Sequence, residues 1–339
     1  MNCPELRVTT IWPLDGPGYR IGRFKSLRLS SIFIKISKVL TVFGATGKQG
    51  GSVVEAVLAD KKLSSEFKIR AITRDVNKPA ARDLAAKGVD VVAADLSTAE
   101  SAAPAVQGAH TVFVVTNFWE TMSAKTEEAQ GRAVTDAAKA AGVQHLIFST
   151  LLNVSEATDG RLTHIVHFDS KARIAQYMRG SGVPSSFVMP GVFMNDFIHF
   201  IRKGEDGDYD LALPIDGDKS RMPMLLASAD TGRFVKIAIK NYPEYVGKDI
   251  LAASAYMTPN QLMSEWSEVM GKKGKYVQLS EDVFKSTLPP PTAQVIYENM
   301  LLMEEPGYYA GGDLNPFLNL LDEKPTTWKQ FVEANKDKW

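Results

Sequence analysis

The chain is poor in the features that would make several function classes easy. Its 339 residues hold a single cysteine, Cys3, so no internal disulfide and no cysteine metal site can form. Charge of either sign is not in excess, with 39 basic and 39 acidic side chains. That balance argues against nucleic-acid binding through a broadly basic surface, and direct nucleic-acid binding is not expected. No apolar run approaches the ~20 residues that cross a bilayer, so no membrane partner is expected. Repeats and low-complexity tracts are missing too. What is present is an apolar content of 45%, ample for a sizeable core.

The informative stretch is Val39-Leu40-Thr41-Val42-Phe43-Gly44-Ala45-Thr46-Gly47-Lys48-Gln49-Gly50-Gly51. A β-branched, apolar run ends in glycines, and Val53, Val54, Val57 and Leu58 then recur at helical spacing. This reads as a strand, a tight turn and a helix start. Gly44 permits the sharp turn, Gly47 lets a pyrophosphate approach the backbone, and Gly50 lets the helix pack on the strand. Free amides and the positive dipole end of the helix would face the phosphates. The spacing is G-x-x-G-x-x-G rather than G-x-G-x-x-G, and the strand before and helix after give it its meaning.

The first half alternates strands and helices at intervals of about twenty to thirty residues, which predicts an α/β doubly wound, Rossmann-type parallel sheet. Expected strands run over 67–73, 89–94, 111–115, 145–149 and 183–189, with a last one over 250–253. Helices are expected over 80–87 and 125–141. The expected organisation is an extension at 1–38, a nucleotide-binding domain at 39–190 and a smaller α/β cap at 191–339, partly interleaved with the sheet. The cap would hold a substrate or a partner, with Phe193, Phe197 and Phe200 as candidate pocket walls. Residues 1–38 carry seven basic side chains against Glu5 and Asp15. A disordered tail or a start codon placed upstream is the preferred reading, and a mitochondrial presequence the competing one. A cytoplasmic placement, with the nucleus as a further compartment, is expected.

The strand over 67–73 ends at Arg74, with Lys78 four residues on. A guanidinium and an ammonium suit a ribose 2′-phosphate, so NADP(H) is expected over NAD(H). Asp75 is the competing signal, since an acidic side chain there could hold a ribose 2′-hydroxyl. Asp95 and Leu96 would lie beside the adenine, although Asp95 reads equally well as an N-cap. Thr116, Asn117 and Phe118 leave the edge where open α/β sheets bind ligands. Short-chain dehydrogenases place a Tyr and a Lys at i and i+4 on one helix, the Lys holding the ribose and lowering the phenol pKa. Here that stretch is His167-Phe168-Asp169-Ser170-Lys171, and no Tyr in the chain has a Lys four residues later. Lys171 is a candidate ribose ligand. His167 is a candidate acid in place of the phenol, or a structural histidine.

Gly44–Gly51, Thr116-Asn117-Phe118-Trp119-Glu120, His167–Lys171 and Pro190-Gly191-Val192-Phe193-Met194-Asn195 together resemble the NmrA-like family, from about Val39 to the C-terminus. These are atypical short-chain dehydrogenase/reductase proteins, among them fungal nitrogen-regulation repressors and an animal NADPH sensor. The resemblance implies an NADP(H)-binding Rossmann domain that senses the nucleotide's redox state through a regulatory protein partner, or serves as a reductase. It implies cofactor contacts at Gly44, Ala45, Thr46, Gly47, Lys48, Gln49 and Gly50; at Arg74 and Lys78; and at Asp95 and Leu96. Further contacts are implied at Thr116, Asn117, Phe118 and Lys171, and at Val192, Phe193, Met194 and Asn195. One position departs: a lysine of the animal sensor falls on Ala129, with Lys125 one turn earlier. The first expectation is therefore a redox-state sensor, and the second an NADPH-dependent reductase of a small apolar carbonyl or enol-type substrate.

Overall fold

A computed structural model describes residues 37–204 and 206–339. The expected extension at 1–38, and its presequence reading, lie outside the described residues except for Ser37 and Lys38. Among the described residues thirteen strands follow in chain order. They are β1 Lys38–Val42, β2 Phe67–Thr73, β3 Asp90–Ala93, β4 Thr111–Val114, β5 His145–Ser149, β6 Ser185–Pro190, β7 Val192–Phe193, β8 Ile201–Lys203, β9 Tyr209–Leu213, β10 Met222–Leu225, β11 Asp249–Ala252, β12 Ala255–Met257 and β13 Gly274–Gln278. The helices that frame the first six are α1 Lys48–Ala59, α2 Lys61–Glu66, α3 Pro79–Ala86, α4 Ala99–Val106, α5 Phe118–Thr121, α6 Ala124–Ala140, α7 Val154–Ala157 and α8 Val166–Gly180.

Seven strands form one sheet in the order β11-β6-β5-β4-β1-β2-β3, every pair parallel. The order reverses between β1 and β4, which opens a crevice at their carboxyl ends. The reason lies in the residue pattern. β4, β5 and β6 are buried along their whole lengths, as strands covered by helices on both faces must be. The last strand, β11, comes from the C-terminal half and pairs with β6, Ile250 beside Val188. The helix Ala227–Lys240 lies on α1, where Gly232 N donates to Ser52 Oγ at 2.9 Å.

Two three-stranded sheets, β12-β10-β7 and β13-β9-β8, build the region beside the crevice. β7 pairs with β10, so the segment leaving β6 is fixed directly over the sheet's carboxyl edge. Their shared core gathers Phe197, Trp266, Trp328 and Phe331, with Trp328 Nε1 donating to Leu262 O at 3.0 Å. Phe197 is thus core rather than pocket wall, being almost wholly buried, whereas Phe200 is exposed.

Candidate functional site

The glycine-rich turn is built as its residues require. Gly44 sits at φ +65°, a conformation that costs a side chain strain, and Gly47 N donates to Gly44 O at 2.9 Å. A Cβ on Gly50 would lie 2.5 Å from the Gly44 carbonyl carbon and 2.8 Å from Ala45 N, so α1 can rest on the turn only with glycine there. The N-terminus of α1 has Gly47 as its cap, no capping side chain and no acid in its first turn. Its orphan amides are left for an anion, with Lys48 beside them. Gln49 is pinned to the end of β5, where Ser149 Oγ donates to its Oε1 at 2.7 Å. Lys48 also acts on Asp196, whose carboxyl is raised by burial and pulled back down by Lys48 and His199. The turn and the segment Val192–Asp196 therefore face one crevice.

At the β2 end, Arg74, Asp75 and Lys78 are all exposed. Arg74 pairs with Glu120 of α5, which raises the guanidinium further above its ordinary value. Asp75 Oδ1 accepts from Asn77 N at 2.8 Å, which turns the loop locally. Asp95 is not the cap of α4. Thr98 caps it, in a reciprocal box with Ser101, because its hydroxyl sits three residues ahead of the Ser101 amide. Asp95 instead accepts from Ser97 N at 2.8 Å and Ser101 Oγ at 2.7 Å, and these bonds hold its carboxyl below the usual range. Leu96 beside it is half-buried.

The His167–Lys171 stretch opens α8, and its Asp169, Ser170 and Lys171 side chains already have partners within the protein. Asp169 Oδ1 accepts from Val154 N at 2.8 Å and Ser155 N at 3.2 Å, capping α7. Ser170 Oγ donates to Glu127 of α6, a buried carboxylate. Lys171 Nζ pairs with Glu127 Oε1, donates to Thr116 Oγ1 at 2.8 Å and to Thr116 O at 3.1 Å. Thr116 Oγ1 in turn donates to Glu127 Oε1 at 2.7 Å. An ammonium has three protons, and all three are matched here. Burial lowers the Lys171 pKa, and Glu127 opposes that. The role expected for Lys171 on a cofactor ribose would take one of those three protons away from its present acceptor.

Glu127 carries no sequence signal of its own, since a glutamate in an Ala-rich helix reads as solvated. The signal lies one turn on. Gly131 stands where a Cβ would fall 2.5 Å from Ile174 Cγ1, and this close crossing of α6 and α8 lets Glu127 meet Lys171. His167 packs against Phe118 and Trp119, ring centroids 5.6 and 4.9 Å away, with Phe168 at 5.0 Å. Burial, helped by the Lys171 charge, pushes its pKa down to about 3. Its Nδ1 is buried without a partner, and so is Asn195 Oδ1. A buried polar atom without a partner carries a desolvation cost. The open α1 amides and the exposed cations at 74 and 78 fit a dinucleotide's phosphates. Of the other residues expected at the nucleotide, Thr116, Phe118 and Met194 are buried, Val192, Phe193 and Asn195 half-buried and Asn117 exposed.

Fold and site together define a doubly wound, Rossmann-type α/β protein of the short-chain dehydrogenase/reductase kind, lacking the usual tyrosine. The family model described as NmrA-like family matches residues 36–332, and the chain belongs to that family. It is 33% identical over 258 residues to the NmrA-like family domain-containing oxidoreductase malD of Malbranchea aurantiaca, covering 71% of this chain and 76% of that protein. Among solved structures, NmrA, a negative transcriptional regulator in complex with NADP, superposes with a TM-score of 0.74 at 22% identity, covering 89% of this chain and 96% of that one. The Citrobacter sp. triphenylmethane reductase complexed with NADP(H) superposes with a TM-score of 0.70 at 21% identity, covering 88% and 99%. Among the described residues no helix is long and apolar enough to cross a membrane.

Proposed function

We propose that this chain binds NADP(H) along the carboxyl ends of β1 and β4 and reports the nucleotide's state to a protein partner. The α1 amides and Gly44–Gly50 would hold the pyrophosphate, Arg74 and Lys78 the 2′-phosphate, and Asn117, His167 and Asn195 would border the nicotinamide. One observation carries the preference for a reporter. Neither of the two candidate groups stands ready to move a proton, because Lys171 is sealed by Thr116 and Glu127 and His167 is neutral. Sensing then requires that oxidised and reduced nucleotide stabilise different conformations. The crevice wall carrying Phe118, Trp119 and His167 is where such a difference would be felt.

A second reading, a reductase, is supported by a specific observation, the oxidoreductase names of relatives about one-third identical. Bound NADPH would supply a hydride. With no acidic side chain in place, a neutral carbonyl acceptor would need its proton from water, whereas a cationic conjugated acceptor needs none. Calorimetry with the four nicotinamide nucleotides, NADPH oxidation against neutral and cationic acceptors, and partner capture in NADP⁺ or NADPH separate the readings. The reporter reading expects nucleotide binding, redox-dependent capture and no turnover. Rapid turnover of either acceptor class, with capture indifferent to redox state, would replace it with the reductase.

A further inference from the structure

The sheet order places β1 between β4 and β2, so the glycine turn leaves the sheet between the two neighbouring strand ends. Arg74 is the first residue after β2, and Glu120 lies on α5 just after β4. Their ion pair therefore joins the two flanks of the crevice across the carboxyl end of β1. The pair is open to solvent, with 64% of the Arg74 side chain and 43% of the Glu120 side chain exposed. Such a pair is weak and easily exchanged. Its carboxylate offers the guanidinium the same planar pair of acceptors that a phosphate offers, with less charge.

We propose that Glu120 is a specificity-determining residue, a competitor built into the fold that occupies Arg74 until a ribose 2′-phosphate displaces it. This rests on the NADP(H) reading above and adds to it. A nucleotide with a bare 2′-hydroxyl has nothing to exchange for the carboxylate and leaves the strap closed. One with a 2′-phosphate takes the guanidinium and frees α5 from the β2 loop. The freed helix carries Phe118 and Trp119, the rings that enclose His167. Phosphate recognition at one end of the crevice is thereby tied to the packing of the other.

The test is calorimetry of NADPH and NADH on the full chain as wild type, Glu120→Gln, Arg74→Ala and the double variant. Thermal midpoints confirm that each folds. Glu120→Gln is expected to tighten NADPH about two- to fivefold, the worth of an exposed ion pair, and to leave NADH unchanged. The gain is expected to shrink as salt is raised and to vanish in the Arg74→Ala background. An equal gain for NADH, no gain, weaker NADPH binding, or a gain that survives Arg74→Ala would each overturn the proposal. A wild-type chain that binds neither nucleotide overturns the cofactor reading itself, and this proposal with it.

Discussion

Replacing His167 by Phe tests the chemistry of the crevice through the pH dependence of folding. In the folded chain the imidazole titrates near 3, against an ordinary 6.5, because burial and the nearby Lys171 oppose its charge. Between those values the unfolded chain binds the proton and the folded chain does not. Stability must therefore fall as pH drops below 6.5, with a slope approaching one proton. By linkage, His167 alone should remove about 2 kcal/mol at pH 5 relative to pH 8. The phenyl ring cannot titrate, so His167→Phe should lack this loss. Any packing cost of the larger ring is the same at both pH values and cancels in the comparison. His145, lowered to about 4 chiefly by burial, titrates in both proteins and cancels as well.

The assay is urea unfolding of wild type and variant at pH 8 and pH 5. The stability difference between the two proteins should change by about 2 kcal/mol in favour of the variant on acidification. A difference that stays constant would mean that His167 is charged or solvated in the folded state, and the aromatic enclosure would not have the effect assigned to it. The same pKa bears on catalysis. At neutral pH only about one molecule in ten thousand would hold a protonated His167. Any NADPH oxidation should then survive His167→Phe at a comparable rate.

Three further perturbations address the scaffold of the site. Gly50→Ala forces a methyl into the Gly44–Ala45 backbone; it should cost about 1–3 kcal/mol and abolish NADPH binding by calorimetry, and near-native affinity would refute the turn's role. Glu127→Gln strips the counter-ion from buried Lys171 and should cost about 3–5 kcal/mol in denaturant unfolding, while adding Lys171→Met should recover most of it; equal costs in the single and double variants would deny the coupling. Gly131→Ala should cost about 1–3 kcal/mol, with the loss reduced when Ile174→Ala is added, and additive losses would show that α6 and α8 do not touch there.

The sheet was readable because its strands are apolar, short and separated by helices with clear stops. The glycine turn was readable because three glycines in that spacing need a backbone reason. The run Thr258-Pro259-Asn260-Gln261 reads as a capping box and forms one, and a helix start is legible at Thr327, where the box with Gln330 is a finding of the structure. Other elements hid. α2 is six residues long, and the strands of the two small sheets have two to five residues, too few for a period to emerge. Asp230, which the apolar pattern of Phe234, Ile237 and Ala238 would place at a helix start, lies inside the helix Ala227–Lys240 and is buried, accepting from Thr326 N at 3.1 Å and pairing with Arg233. Its partner is 96 residues away, and no local pattern encodes such a distance.

Glu127 is the sharper case, because the missing tyrosine explains why it is needed. A buried lysine with no counter-charge would shed its proton or unfold its surroundings. In a site built around a Tyr and a Lys, the phenol and the bound ribose share the work of satisfying that ammonium. Here Phe168, Asp169 and Ser170 follow His167, and none of them meets Lys171 Nζ; Glu127 and Thr116 do, from a different helix and a different strand end. The protein thereby satisfies its own lysine before any ligand arrives. The Lys171 group, where the proposed reading would place the nicotinamide, is already paired, whereas the α1 amides and the exposed Arg74 would remain open to exchange with an anion. On the proposed reading, a chain arranged in this way would discriminate a nucleotide by its phosphates first, and only secondarily by what its ring can do.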